Sequence, residues 1–179
     1  EISSTAPQEK KLVDPFLRAI SYLRLSLTDR CNLKCLYCVT EEEAAGELSK
    51  LTHKELLSYE EILRIVHVAV AMGIGKVRLT GGEPLVRRGI LDFITRLGQI
   101  PGLHDIRLTT NGVFLPEMAA QLFAAGVGKV NISLDSLRPE RFAHITGVDA
   151  FAQVWSGIET ALAQGFDPVK LNMVVMRGI

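Results

Sequence analysis

The sequence predicts an α/β fold: about five parallel strands curved into a partial (β/α) TIM-like barrel, with helices on the outside. Two observations carry this. Strand-like runs alternate with helix-like segments along the chain, the pattern of successive βαβ units. Each strand-like run is also polar on one side, whereas a parallel sheet covered on both faces is apolar on both.

Five runs read as strands: "YLRLSLT" (22–28), "KVRLT" (76–80), "DIRLTT" (105–110), "KVNISLD" (129–135) and "VKLNMVVM" (169–176). Three helix-like segments stand out between them. "SYEEILRIVHVAVAMG" opens with Ser58 and Glu61 at capping-box spacing and stops at Gly73. "PEMAAQLFAAG" has Pro116 in its first turn and Gly126 at its C-terminal cap, and "DAFAQVWSGIETALAQG" ends likewise at Gly165.

Side chains alternate across a strand, so the two faces can be read directly. One face carries Arg24, Ser26 and Thr28, then Arg78 and Thr80, Arg107 and Thr109, Asn131, Ser133 and Asp135, and finally Lys170 and Asn172. The other carries Leu23, Leu25, Leu27, Val77, Leu79, Ile106, Leu108, Val130, Ile132, Leu134, Val169, Leu171 and Met173. A closed, filled barrel wants branched apolar residues inside. The repeated one-sided polarity points instead to a wet, partly cationic lumen. The plain alternative is polar residues at exposed strand ends or an open edge. For the cations, the alternative is ion pairing inside the barrel, with Asp135 as the candidate partner.

Lys plus Arg and Asp plus Glu number 20 each, so no global basic field points to nucleic acid. No apolar run is long enough to span a bilayer. The opening "EISSTAPQEKKLVDP" lacks the apolar stretch of a signal peptide. Residues 1–15 read as an N-terminal tail and 16–179 as one core domain. The chain has no initiator methionine, and "KLNMVVMRGI" stops where a parallel sheet needs a crossover helix. The expectation is a core truncated at its C-terminus, part of a longer protein.

All three cysteines, Cys31, Cys35 and Cys38, lie within "DRCNLKCLYC". A disulfide would strand one of them. Their loop follows the first strand, at the carboxyl end where α/β barrels place active sites. Three thiolates suit zinc with a fourth ligand, or three irons of a [4Fe–4S] cube with the fourth iron open. For zinc the nitrogen ligands on offer are His53, His67, His104 and His144, and His67 falls inside a helical pattern. Buried, unreactive cysteines are the bland reading, better suited to lone cysteines than to C-x3-C-x2-C spacing. Reduced thiols fit a cytoplasmic setting.

That spacing, with the aromatic Tyr37 before the last cysteine, resembles the signature of the radical S-adenosylmethionine (SAM) superfamily. The blocks "YLRLSLTDRCNLKCLYC", "VRLTGGEPLVRR", "LTTNG" and "VNISLDSLRPERFAHITG" resemble, within it, the GTP 3′,8-cyclases of molybdenum-cofactor biosynthesis, from about residue 12 to the end. The resemblance implies a partial barrel of the radical SAM type. It also implies conversion of GTP to (8S)-3′,8-cyclo-7,8-dihydroguanosine 5′-triphosphate through a 5′-deoxyadenosyl radical. Rival readings are another radical SAM enzyme, peptide-modifying or activating, and a non-catalytic module stabilised by a metal.

The resemblance assigns residues. Cys31, Cys35 and Cys38 would ligate the [4Fe–4S] cluster. Tyr37, Gly81, Gly82, Glu83 and Ser133 would hold SAM, the glycines of "GGEP" admitting close backbone approach. Arg24, Arg78, Thr109 and Lys170 would contact GTP, and all four fall on the polar face read from alternation alone. An electron donor and a downstream pterin-forming enzyme are implied as partners, with room for a homodimer. Two features depart from the family. Val39 and Thr40 stand where Met-Pro is usual. No cysteine follows Cys38, although the cyclases carry a second, guanine-binding cluster on three C-terminal cysteines; that cluster is expected in the missing C-terminal part.

Overall fold

The structure, a computed structural model, describes residues 11–38, 50–52 and 54–178. The expectations for the first ten residues, for Val39 and Thr40, and for His53 fall outside the described residues.

β1 (Tyr22–Ser26), β2 (Lys76–Thr80), β3 (Asp105–Thr110), β4 (Val127–Ser133) and β5 (Val169–Asn172) form one sheet in the order β1-β2-β3-β4-β5. Every neighbouring pair is parallel. Because the order never reverses, right-handed crossovers bring all the helices to the same face. Among the described residues the sheet does not close, β1 and β5 each having a single partner, so the barrel is partial.

The helices are α1 (Tyr59–Ala71), α2 (Ile90–Gly98), α3 (Leu115–Ala124), α4 (Pro139–Thr146) and α5 (Phe151–Gln164), with a 3-10 turn at Pro84–Val86. The three helices expected from sequence, α1, α3 and α5, are present. In α1 the capping box is formed in both directions: Ser58 Oγ accepts from Glu61 N, and Ser58 N donates to Glu61 Oε2 at 2.7 Å. α5 ends at Gly165 in the left-handed region, with φ of 93°. α2 and α4 are additions. α2 buries Ile90, Phe93, Ile94 and Leu97 in a clear helical period, but its N-cap is Gly89, which supplies no capping side chain to announce it.

Burial alternates as the sequence implied. Val77, Leu79, Leu108, Val130 and Ile132 are inaccessible to solvent beneath the helices, while Arg78, Thr80, Arg107, Thr109, Asn131 and Ser133 are only half-buried. The pattern fails at the β5 edge. Leu171 and Met173 share the apolar side but are 52% and 61% exposed. Among the described residues, no helix is long and apolar enough to cross a membrane.

β4 starts two residues earlier than expected, and Gly128 is the reason. Ile106 pairs with Val127 but Arg107 with Lys129, so Gly128 is a bulge residue. The shift completes a row. Arg24 pairs with Arg78, Arg78 with Arg107, and Arg107 with Lys129. Four cations stand side by side on the lumen face.

Candidate functional site

At the carboxyl ends of the strands lies a cavity of about 290 Å³. Its walls include Cys31, Cys35, Cys38, Tyr37, Gly81, Gly82, Thr109 and Ser133. Residues spread over a hundred positions thus meet at one place. Glu83, Arg24, Arg78 and Lys170 are not among its walls. A larger groove of about 510 Å³ runs outside, between α1 and α2, past Glu60, Arg64, His67 and Arg96. It contains no nucleophile or thiol, and His67 is engaged within its own helix, Nδ1 lying 2.9 Å from Leu63 O. We therefore place the site in the smaller cavity.

The cysteine loop is docked onto α4. Lys34 N donates to Thr146 O at 2.8 Å and Leu36 N to Ile145 O at 2.9 Å. These are carbonyls that a helix end cannot satisfy internally. Gly147 follows with φ of 67°, and a Cβ there would lie 3.1 Å from Lys34 O. Cys38 N donates to Cys35 O at 2.9 Å, a turn that gathers the second and third thiols. Among the described residues no disulfide joins the three cysteines. Burial pushes the Cys35 thiol up to about 11, so a metal that binds it must displace its proton.

The "GGEP" loop meets the cysteine loop first. Gly82 N donates to Thr28 O at 2.7 Å and Glu83 N to Arg30 O at 2.8 Å. Cβ atoms built at Gly81 and Gly82 would lie 2.5 Å from Thr28 O and 2.3 Å from Arg30 O. The glycines are thus required by backbone meeting backbone. Glu83 differs from its expected role. Its carboxylate is fully buried, with Oε1 accepting from Leu85 N (3.0 Å) and Thr110 Oγ1 (2.8 Å), and Oε2 from Asn111 N (2.6 Å). It ties the β2 loop to the β3 loop and offers nothing to the cavity. Burial pushes its carboxyl up to about 7, against the pull of those three hydrogen bonds.

Asp135, the expected partner of the lumen cations, is engaged elsewhere. It accepts from the Tyr37 hydroxyl at 2.8 Å and from Val174 N at 2.9 Å. Burial raises the Tyr37 hydroxyl above its ordinary value, and the bond to Asp135 adds to this. The carboxylate that does sit among the cations is Asp105, at the amino end of β3. Arg107 Nη2 reaches it at 2.5 Å and Lys129 Nζ at 3.0 Å. The Arg107 bond, followed by that from Lys129, holds the Asp105 carboxyl down at about 2. Arg78 instead donates from Nε to the Tyr22 hydroxyl and from Nη1 to Thr109 Oγ1 at 3.1 Å. Among the described residues Arg24, Arg78 and Lys170 form no ion pair.

Sequence reading overlooked Tyr22, Asp105, Lys129 and Asn111. Lys129 opens the run read as β4 and shares the parity of Asn131, so alternation alone puts it on the polar face. Asn111 lies beyond the strand, where alternation carries no information.

Residues 25–179 match the profile of the Radical SAM superfamily. The chain belongs to that superfamily. It is 55% identical over 169 residues to a GTP 3′,8-cyclase of Geobacter sulfurreducens, covering 94% of this chain and 51% of that protein. Against a GTP 3′,8-cyclase of Heliobacterium modesticaldum the identity is 53% over 168 residues, covering 94% and 50%. The chain therefore spans about half the length of the curated relatives it matches. Among solved structures, SuiB of Streptococcus suis bound to S-adenosylmethionine superposes with a TM-score of 0.70 at 18% identity, covering 89% of this chain and 35% of that one. HydG, a maturase of the [FeFe]-hydrogenase, gives 0.67 at 16% identity, covering 86% and 34%. At such identities the likeness is one of fold, and it places this chain in the partial-barrel architecture of radical SAM proteins.

Proposed function

We propose that this chain provides the cluster-binding, SAM-binding and triphosphate-binding part of a GTP 3′,8-cyclase. One observation carries the substrate reading: four cations, Arg24, Arg78, Arg107 and Lys129, stand in one register row, and among the described residues only Arg107 and Lys129 meet a carboxylate, that of Asp105. The row lies on the cavity's face of the sheet, two residues below Thr80, Thr109 and Asn131, about 7 Å along the strands. Lys170, paired in register with Asn131, adds a fifth cation. Of the cations without an ion pair, Arg78 is half-buried and Arg24 and Lys170 are exposed; positive charge gathered on one face attracts a polyanion. GTP carries about four negative charges.

The donor set fits an iron–sulfur cluster. Three thiols line one cavity, yet among the described residues no three His, Cys, Asp or Glu side chains are grouped to hold a metal ion. That spread suits a polynuclear group whose irons take one thiolate each. Cys31, Cys35 and Cys38 would hold a [4Fe–4S] cluster. Gly81, Gly82, Tyr37 and Ser133 would hold SAM, with Glu83 fixing the glycine loop from behind. When bound, the cluster and SAM supply a 5′-deoxyadenosyl radical as the hydrogen-abstracting agent. The protein's own work is positional. Arg24, Arg78 and Lys170 anchor the triphosphate, and Thr109, already bonded to Arg78 and lining the cavity, joins the two halves of the site. The reading also calls for a cytoplasmic, reducing setting, an electron donor, a downstream pterin-forming enzyme, and a second cluster held by residues outside this chain; a homodimer is compatible with it.

The test uses the full-length protein, reconstituted anaerobically with iron and sulfide and given SAM, GTP and a strong reductant. GTP-dependent release of 5′-deoxyadenosine with a cyclised guanosine triphosphate is expected, and Cys35→Ala should abolish both. Tight zinc binding without iron–sulfur absorbance, or SAM cleavage indifferent to GTP, would overturn the reading.

A further inference from the structure

Asn111 is nearly buried, 8% exposed, immediately after β3. Its side chain is held on every side. Val113 N donates to Asn111 Oδ1 at 3.1 Å. A backbone N–H only donates, so the atom it meets is the oxygen, and the amide orientation follows. The NH₂ group is thereby turned toward the cysteine loop. One proton goes to Asn32 Oδ1 at 2.7 Å, and the sulfur of Cys31 lies 3.8 Å from the same nitrogen, within reach of the other. The Asn111 backbone is fixed as well, its N–H donating to the buried Glu83 carboxylate at 2.6 Å. A second N–H, from Leu33, points at Cys31 Sγ from 3.4 Å.

We propose that Asn111 is a positioning residue that orients Cys31 and sets the reduction potential of the cluster that Cys31 would bind. The inference rests on the cluster reading above. A thiolate ligand pushes electron density onto its iron, and an N–H donated to the sulfur withdraws part of it. Hydrogen bonds to cluster sulfurs therefore help set the potential, and such outer partners also orient the ligands they touch. Glu83 now has a purpose that its absence from the cavity left open: it anchors the strand end from which the Asn111 amide reaches the sulfur. A chain of contacts runs from the "GGEP" loop through Glu83 and Asn111 to Cys31, so two loops that line the cavity are set by one buried carboxylate.

The experiment is a redox titration of the reconstituted full-length protein, followed by electron paramagnetic resonance, on wild type, Asn111→Ser and Asn111→Asp. Serine can keep the turn by accepting from Val113 N, but it lacks the reach to Cys31. Aspartate keeps the shape and puts oxygen where the donor was. Both variants should retain iron and sulfide yet show a more negative midpoint for the cluster whose resonance SAM perturbs, Asn111→Asp further than Asn111→Ser. An unchanged midpoint in Asn111→Ser with a full cluster overturns the proposal. If neither variant holds a cluster, the wild type decides. With asparagine labelled by ¹⁵N in the side-chain amide, pulsed resonance of the reduced cluster should show a ¹⁵N coupling, and its absence overturns the proposal. A wild-type protein that assembles no cluster at all instead sinks the cluster reading beneath it.

Discussion

Asp105 and Glu83 are both buried carboxylates, at opposite ends of the same sheet, and they are held in opposite ways. Asp105, at the base of the lumen, is met by two cations, Arg107 and Lys129. Glu83, at the mouth, is met only by neutral donors: two backbone amides and a threonine hydroxyl. Full charges hold the first carboxyl at about 2, while burial lifts the second to about 7. The base of the lumen is thus closed on itself electrostatically. The mouth is built from dipoles, and the cations that do not reach Asp105, namely Arg24, Arg78 and Lys170, form no ion pair among the described residues. Ion pairing serves the scaffold at Asp105, and the proposed triphosphate site would draw on the cations left without an ion pair.

The sharpest way to break this comparison is pH. A carboxyl whose folded value is raised contributes stability that is whole below its ordinary value of 4.5 and is lost as pH climbs toward 7. Wild type should therefore lose ground against Glu83→Gln, which does not titrate, by up to about 3 kcal/mol across that window. Asp105 should behave inversely, its contribution intact above 3.8 and lost as pH falls toward 2. Urea unfolding of wild type and Glu83→Gln from pH 4.5 to 8 reads the first. A gap independent of pH would mean that Glu83 is ionised throughout.

A somewhat smaller effect is expected at the base. Asp105→Ala leaves Arg107 and Lys129 facing each other in the cation row without their counter-charge. Their side chains are 26% and 36% exposed, so solvent softens the loss. About 2 kcal/mol of unfolding free energy should disappear. Added phosphate or pyrophosphate should restore part of it by taking the carboxylate's place. No destabilisation, or none that anions relieve, would mean that the base is not charge-balanced by Asp105.

The smallest effect on folding is expected at Arg78, with the effect on binding in its place. Arg78→Ala removes a guanidinium whose bonds go to neutral hydroxyls, so stability should move by no more than about 0.5 kcal/mol. Affinity for GTP, measured by calorimetry on the full-length protein, should fall about tenfold or more, about 1.4 kcal/mol. The Arg24→Ala variant should match it. Unchanged affinity in both would assign the polar face to some other ligand.

Much of this was legible in the sequence, because period-two alternation and local spacing are properties of the chain itself. Leu79 and Arg78 must face opposite ways in any strand, so the cationic lumen followed once the strands were located. Ser58 and Glu61 cap α1 across a single turn. Cys31, Cys35 and Cys38 are close because few residues separate them. The glycines of "GGEP" also declared that something approaches closely.

What approaches them only the tertiary structure decided, because such partners are distant in sequence and no periodicity links them. Gly82 is pressed on by Arg30, some fifty positions away, and Glu83 is claimed by Thr110 and Asn111. The cation row depends on a one-residue bulge at Gly128 that fixes which side chain of β4 stands beside Arg107. Asp135 and Asp105 lie on the same face by parity, yet folding put one beside Tyr37 and the other among the cations. Alternation gives the face on which a side chain stands. Its height on the sheet, and the neighbour across the strand gap, come from register, which is set by how the whole sheet packs.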